Sequence, residues 1–330
     1  GGYPFSYDKS DPTFSFKPIS FLGGLPSSIV YHNGSYYIGG AFTSVVSDGI
    51  NHSIQRLIKL DSSGQVDTGF NTSITSGTIN TMSVDDSGLY IGGTSGMGVL
   101  RKINLSTGNT EWTVSNVTGS APSILCTRII DNLMYVGGGF DSIEGNSQFK
   151  HMCRFILNGI TPVLDTSWNA SIDGSGLSPA LTPYVSNIYR LYEHIYFCGR
   201  FTSFEAGSKT LNHIARSDLT TGIVDSSWNV NPDNFVQTFL IDSANKTIFI
   251  AGNFNQVGSF SNPFLCKINI ATASPDTNWK CSIERKPLFS IVSSPIRTLY
   301  LDTANSLLYI GGTFNGAVVN GNKYRRRGVA

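Results

Sequence analysis

Tyr37-Ile38-Gly39-Gly40-Ala41-Phe42 is the first of six similar segments in this 330-residue chain. Each segment is a β-branched or aromatic run that ends in small residues and, in five copies, a phenylalanine. The first small residues stand at positions 39, 92, 137, 198, 251 and 311, so the steps are 53, 45, 61, 53 and 60 residues. A period of about 40–60 residues with strand-like copies predicts a radial array of small sheets. The other copies are Tyr90–Thr94, Tyr135–Phe140, Tyr196–Phe201, Phe249–Phe254 and Tyr309–Phe314.

The second repeat shows how many strands each copy contains. Ile79–Val84, Leu89–Gly92, Val99–Leu105 and Asn109–Val114 are predicted strands, separated by turn sequences rich in Asp, Ser and Gly. Four antiparallel strands per repeat are one blade of a β-propeller. We therefore predict an all-β fold, a six-bladed β-propeller of four-stranded antiparallel blades.

An acid stands three residues before a large aromatic residue in the predicted fourth strand of most repeats. The ring is large enough to fill the space between adjacent blades, and the acid can accept backbone N–H bonds at a turn. The small pair closes a strand where a neighbouring chain comes too near for a Cβ atom. The second repeat departs, because Glu111 directly precedes Trp112. The regular pairs are Asp67 with Phe70, Asp165 with Trp168, Asp225 with Trp228, and Asp276 with Trp279.

The two ends of the chain predict how the ring closes. The last repeat supplies only three predicted strands, the third at residues 325–330, while Asp11-Pro12-Thr13-Phe14 has the acid-to-aromatic spacing of a fourth strand. We predict that residues 11–18 complete the last blade beside residues 325–330, which removes two exposed sheet edges. Residues 1–330 are then one domain. Seven blades would require a degenerate hairpin within 171–190, which we predict to be a long loop plus an innermost strand.

These repeats resemble the delta-60 repeat family, a β-propeller domain of unknown function. The segments that carry the resemblance are Gly39-Gly40-Ala41-Phe42-Thr43-Ser44, Ile214-Ala215-Arg216 and Val66-Asp67-Thr68-Gly69-Phe70. The resemblance covers nearly the whole chain and is weakest in the second repeat and in the long loops of the third and fourth. It implies a propeller fold and an extracellular or virion setting, as in bacterial surface proteins and phage or other viral proteins. It implies no catalytic residues.

Composition limits the classes of partner. Net charge is +1, which predicts no long-range attraction to nucleic acid or to an anionic membrane. The basic run at Lys323–Arg327 has no second cluster beside it, so we interpret it as a polar strand or an exposed end. No run of 18 or more apolar residues occurs, and we predict no membrane insertion.

The sequence contains no recognisable catalytic, cofactor or metal motif. Its five cysteines are odd in number and lack a CxxC pair, which indicates neither a disulfide framework nor a zinc site. The adjacent acids Asp85 and Asp86 lie in a tight turn, where capping explains them better than glycosidase chemistry. His52, His151 and His213 each precede a predicted third strand, and we interpret them as loop residues of the repeat rather than metal ligands. We therefore predict no catalytic residue, no cofactor and no metal.

Recognition is predicted on one face of the propeller, where the long loops between second and third strands lie with a long connection between blades. Variable polar loops on a rigid scaffold commonly carry binding sites. The predicted loops are 43–53, 141–151, 202–213, 255–263, 315–323 and, between blades, 170–186. Their candidate binding residues are Phe149, His151, Phe204, His213 and Phe260. The alternative role of the three phenylalanines is to cover their own blades.

Three functional hypotheses follow. The first is a non-catalytic binding or assembly module of a phage tail, a capsid-associated protein or a cell-surface adhesin, with protein subunits or a cell-surface glycan as partner. It is extracellular or on a virion surface. The second is a propeller enzyme, a polysaccharide hydrolase or lyase, which needs acids or a histidine converging at the central channel. The third is an intracellular protein-interaction scaffold, which the low charged content of 14% disfavours against the roughly 25% of average domains.

Overall fold

The computed structural model of this chain describes residues 19–97, 99–114, 116–173, 177–178, 181–205, 207–284, 295–319 and 321–325. Within those ranges the fold is all-β, with antiparallel sheets of two to four strands and one short 3-10 turn at Ser95–Met97. The described residues fall into two compact units. The first contains 19–136, 142–145 and 155–164, and the second contains 137–141, 146–154 and the residues from 165 onwards.

The first unit contains the first two repeats and part of the third. The bounds of its strands, including two (β12 and β13) with residues in both units, are β1 Ile19–Leu22, β2 Pro26–His32, β3 Ser35–Gly40, β4 Ser44–Ser47, β5 Ile50–His52, β6 Leu57–Leu60, β7 Ile79–Asp85, β8 Gly88–Gly93, β9 Leu100–Ile103, β10 Thr110–Thr113, β11 Ser123–Ile130, β12 Leu133–Gly139, β13 Met152–Ile156 and β14 Val163–Leu164.

The second unit contains the fourth, fifth and sixth repeats. The bounds of its strands are β15 Tyr184–Leu191, β16 His194–Arg200, β17 Ser203–Phe204, β18 Lys209–Thr210, β19 Ile214–Asp218, β20 Val236–Asp242, β21 Thr247–Gly252, β22 Gln256–Val257, β23 Phe260–Ser261, β24 Leu265–Asn269, β25 Cys281–Glu284, β26 Ile296–Asp302, β27 Leu307–Gly312, β28 Gly316–Val319 and β29 Asn322–Arg325.

The second repeat forms the predicted blade. Strands β7 to β10 make one antiparallel sheet in sequence order. The turn between β7 and β8 is closed by Asp85, whose carboxylate accepts hydrogen bonds from the N–H groups of Ser87 at 2.8 Å and Gly88 at 3.1 Å. A short polar side chain that satisfies two backbone donors stabilises a tight reversal. The predictions of four strands and of a capping role for Asp85 are confirmed here.

Three other repeats have a shorter fourth strand than predicted. In the first, fourth and fifth repeats this strand is reduced to an isolated bridge, which pairs Leu60 with Val66, Ser217 with Val224, and Ile268 with Pro275. The reason lies in the acid that follows. Asp225, for example, accepts the N–H of Ser227 at 3.0 Å, so the backbone curls into a turn instead of extending the ladder.

The glycine pairs and the aromatic residues have the predicted packing roles. A Cβ atom on Gly92, the first small residue of its pair, would lie 2.5 Å from a methyl carbon of Ile124 in the following repeat. Phe70 of the first repeat belongs to one buried cluster with Ile79 and Leu89 of the second. Trp228 likewise packs among residues of the fourth and fifth repeats. Adjacent repeats are thus held together by interdigitated side chains.

The prediction of long loops is wrong for most of these segments, because they contain short antiparallel ribbons. The ribbons are β4–β5, β17–β18, β22–β23 and β28–β29. Each folds back and pairs with the connection that precedes its own repeat: β1 with β4, Ile172 with Phe204, Pro232 with Val257, and β25 with β28. This pairing supplies hydrogen-bond partners for backbone that would otherwise need water. We call these four hairpins the edge ribbons.

Some predictions lie partly or wholly outside the described residues. Residues 11–18 and 326–330, which carry the predicted closing strands, are not described. In the region 171–190, β15 is the predicted innermost strand, and residues 174–176 and 179–180 are not described. The described part of the basic run, Lys323–Arg325, lies in β29, which fits its interpretation as a strand.

Candidate functional site

Each edge ribbon of the fourth and fifth repeats is held by an acid from the connection in front of it. Asp173 accepts hydrogen bonds from the Ser203 hydroxyl and, at 2.7 Å, from the Gly207 N–H. Asp233 accepts the N–H of Asn255 at 2.8 Å and that of Gln256 at 3.3 Å. These carboxylates therefore hold the ribbons in place.

A residue with left-handed backbone immediately precedes the third strand of each of the first five repeats. Its φ lies between 54° and 70°. His213 shows the geometry: its N–H donates to the Phe201 carbonyl at 2.9 Å, and its carbonyl accepts the Gly199 N–H at 3.0 Å. The five residues are Arg56, Val99, His151, His213 and Phe264.

This position corrects one prediction about the histidines. His151 and His213 are equivalent, as expected from their spacing. His52 is not, because it lies on β5 and Arg56 takes the equivalent place in the first repeat. The three histidines therefore do not form a repeated set.

His151 and His213 are almost completely buried, with 3% and 6% of their surface exposed. The Nδ1 atom of each has no hydrogen-bond partner. Burial is the main cause that lowers the pKa of both imidazoles to about 4. Both rings are thus neutral at pH 7. A buried ring with a pKa of about 4 is a weak base, and without a hydrogen-bond partner at Nδ1 it is poorly placed to act as a general base.

A second repeated feature, which was not predicted from the sequence, is a basic residue on the third strand that binds the acid of the fourth. Arg216 donates to Asp225 from Nε at 2.9 Å and from Nη2 at 2.7 Å. The Arg216 guanidinium carbon also lies 5.5 Å from the centre of the Trp228 ring. The equivalent pairs are Lys59 with Asp67, Lys102 with Glu111, Arg154 with Asp165, and Lys267 with Asp276.

These ion pairs occupy most of the acids that the fourth strands contribute. Burial alone would raise the pKa of Asp165 and of Asp225, but hydrogen bonds from the following serine and from the arginine outweigh it and lower both values. The carboxylates therefore stay ionised and bound. A group fixed in this way is not free to donate a proton to a leaving oxygen.

Four of the five candidate binding residues are buried. Phe149, His151, Phe204 and His213 each expose 6% of their surface or less. Phe204 packs against Phe197 and Phe201, with ring centres 6.0 and 5.4 Å away. A ligand in solution does not reach these side chains without displacing their neighbours. The packing role that we weighed for Phe149 and Phe204 agrees with this burial.

Phe260, the fifth candidate, lines a cleft. The cleft lies between the edge ribbons of the fifth and sixth repeats and has a volume of about 160 Å³. Its walls are Phe260, Ser261, Asn262, Lys280, Ser282, Val318 and Gly321. Phe260 is half-buried, while Ser261 and Lys280 are exposed, so the cleft opens to solvent.

Metal and thiol chemistry have little basis in the described residues. In those ranges no group of three or more His, Cys, Asp or Glu residues is arranged to hold a metal ion. All five cysteines are free and buried. Burial raises the pKa of the Cys198 and Cys266 thiols to about 12, which keeps them protonated and unreactive. Among the described residues no helix is long and apolar enough to span a membrane.

Comparison with known proteins identifies the fold. The WD40 β-propeller domain of Doa1 is similar over 96% of this chain and 87% of its own, at 10% identity and a TM-score of 0.52. The computationally designed Ika8 protein is similar over 92% of this chain and 88% of its own, at 9% identity and a TM-score of 0.50. No protein-family model matches the sequence, and no curated protein matches it either. The likeness to Doa1, with the antiparallel repeats described above, indicates that this chain has a β-propeller fold.

Proposed function

We propose that the chain is a closed, six-bladed propeller, in which the last blade packs against the first. The support is an aromatic position on the second strand that is buried in five repeats and open in the sixth. Tyr309 exposes 42% of its surface, whereas the equivalent residues expose 7% or less. Those residues are Tyr37, Tyr90, Tyr135, Tyr196 and Phe249.

The first repeat has the complementary open face. Ile29 on β2 exposes 45% of its surface, while Met82, Ile188 and Phe239 at the matching register of later repeats expose 6% or less. Exposed apolar surface of this kind favours contact with a partner. In this proposal the two such faces, at opposite ends of the repeat array, are buried against each other. In this proposal residues 11–18 complete the last blade beside residues 325–330, and residues 1–330 form one domain.

We propose further that this propeller is a non-catalytic binding or assembly module on the surface of a virion or a cell. The supporting observation is that the acids of the repeats take part in ion pairs and turns, while the edge ribbons differ from one repeat to the next. Ribbon length ranges from two-residue strands at β17 and β18 to four-residue strands at β28 and β29. Its partner is a cell-surface glycan or a protein subunit of a larger assembly.

Glycan arrays combined with a turnover assay test this proposal. The purified chain is expected to bind a subset of immobilised glycans or intact particles saturably, and to release no reducing ends from the same glycans. An antibody against the chain is expected to label intact virions or unpermeabilised cells. Turnover of a polysaccharide that disappears on substitution of a single acid, such as Asp86→Asn, would instead establish an enzyme.

A further inference from the structure

The cleft beside Phe260 has the features of a site for one small charged group. Asn262 exposes only 5% of its surface, yet its Nδ2 atom has no hydrogen-bond acceptor. Its one neighbour of this kind is the Cys266 thiol, a weak acceptor, and this contact lowers the pKa of the thiol against the larger rise that burial causes. Because sulfur accepts hydrogen bonds only weakly, an oxygen atom of a ligand that contacts this amide is the better acceptor.

The charge around the cleft is positive. Lys280 is exposed at the rim, and within the described residues it has no ion-pair partner. Glu284, the nearest acid along β25, is paired with Lys323, whose Nζ lies 2.7 Å from its carboxylate. Lys280 therefore contributes an uncompensated positive charge, which attracts a carboxylate or another small anion.

The remaining walls offer the kinds of group that bind a sugar ring. Ser261 and Ser282 offer hydroxyl groups that can donate and accept hydrogen bonds, and Phe260 and Val318 offer apolar surface for the C–H face of a ring. Pockets for drug-sized molecules measure roughly 300–1,000 Å³, so about 160 Å³ suits a single monosaccharide. We infer that this cleft binds the terminal residue of an acidic glycan, a monosaccharide that carries a carboxylate. The inference rests on the proposed binding function and names its ligand class.

Calorimetric titration of the full chain with D-glucuronate, and with D-glucose as the uncharged comparison, tests the inference. We expect glucuronate to bind, glucose to bind at least about tenfold more weakly, and Lys280→Gln to remove most of that difference. Phe260→Leu keeps apolar volume but loses the ring, and it is expected to weaken both sugars. Lys246→Gln changes an exposed lysine in the turn between β20 and β21 and is the matched control. Thermal unfolding of each variant checks that it folds.

The outcomes separate this inference from the function on which it rests. Glucuronate binding that Lys280→Gln and Lys246→Gln leave equally strong would overturn the cleft assignment, as would absence of glucuronate binding. If the chain still bound neutral glycans on an array, the binding function would stand without this site. Hydrolysis of the glycan would overturn the function itself.

Discussion

The buried histidines predict a loss of stability on the acid side of neutrality. His151 and His213 titrate at about 4 in the folded chain and near 6.5 when unfolded. Because the folded pKa is the lower one, the unfolded state takes up protons first as the pH falls. Stability is therefore complete above about pH 6.5 and decreases down to about pH 4. By linkage each ring costs about 2 kcal/mol between pH 7 and pH 5, and the two together cost about 4 kcal/mol.

The pH range in which the histidines change the stability differs from the range in which the carboxylates do. The pKa values of Asp165 and Asp225 are lowered from the usual 3.8 in the folded chain, so the stability they contribute is lost only below about pH 4. Between pH 7 and pH 5 these acids remain ionised in both states. A decrease in stability over that range is consequently assigned to the histidines.

The fifth repeat suggests a substitution that removes the titrating imidazoles. Phe264 occupies the equivalent left-handed position in the fifth repeat, with a φ of 70° against 63° for His151 and 65° for His213. Urea unfolding at a series of pH values measures the difference. The double variant His151→Phe/His213→Phe is expected to lose about 4 kcal/mol of pH dependence between pH 7 and pH 5. His52→Gln, on β5, is the control and is expected to keep it.

Two results would refute the reasoning. A wild-type stability that is flat between pH 7 and pH 5 would mean that the imidazoles are hydrated or bound to a proton acceptor. An unchanged slope in the double variant would place the titrating groups elsewhere. Because a domain of this kind is stable by only about 5–15 kcal/mol, a change of 4 kcal/mol is readily measured.

Three further experiments test the packing between and within repeats. Trp228→Phe loses the 2.8 Å hydrogen bond from the indole N–H to the Ile270 carbonyl, and a destabilisation of about 2 kcal/mol is expected in urea unfolding. Arg216→Met leaves Asp225 without its cation and should cost about 1–3 kcal/mol, whereas Lys323→Met, in an exposed pair, should cost under about 0.5 kcal/mol. The thiol of Cys198 should react with a maleimide only after denaturation, and rapid labelling of the folded chain would contradict its burial.

The parts of the fold that could be predicted are those with a local signal. The β7–β8 hairpin has a strand on each side of an Asp-Asp-Ser-Gly turn, and each element carries its own propensity. The pairing of Asp with a large aromatic three residues later is likewise visible in one short segment, and so is the close approach at Gly92. These features depend on neighbours in sequence or on the size of a side chain.

The edge ribbons and the ion pairs could not be derived in that way. Strands of two residues, such as β17 and β22, are too short for alternation to appear. The Arg216–Asp225 pair joins residues nine positions apart on two strands, and the equivalent separations range from eight to eleven. A recurring Lys or Arg in the third strand was visible in the sequence. Its partner was not, because register across two strands depends on where the turn falls.

The same geometry explains why Phe204 turned out to be buried while Phe260 lines a cleft. A ribbon folded back against its own repeat has one side toward the core and one toward solvent, because side chains alternate along a strand. Phe204 is paired with Lys209 in register and lies on the inner side, with none of its surface exposed. Phe260 sits beside the turn at the end of its ribbon, in register with Val257, and lines the cleft together with Val318 of the next ribbon. Recognition in this fold is therefore expected where successive ribbons face each other, and the residues that decide it are those at the ribbon ends.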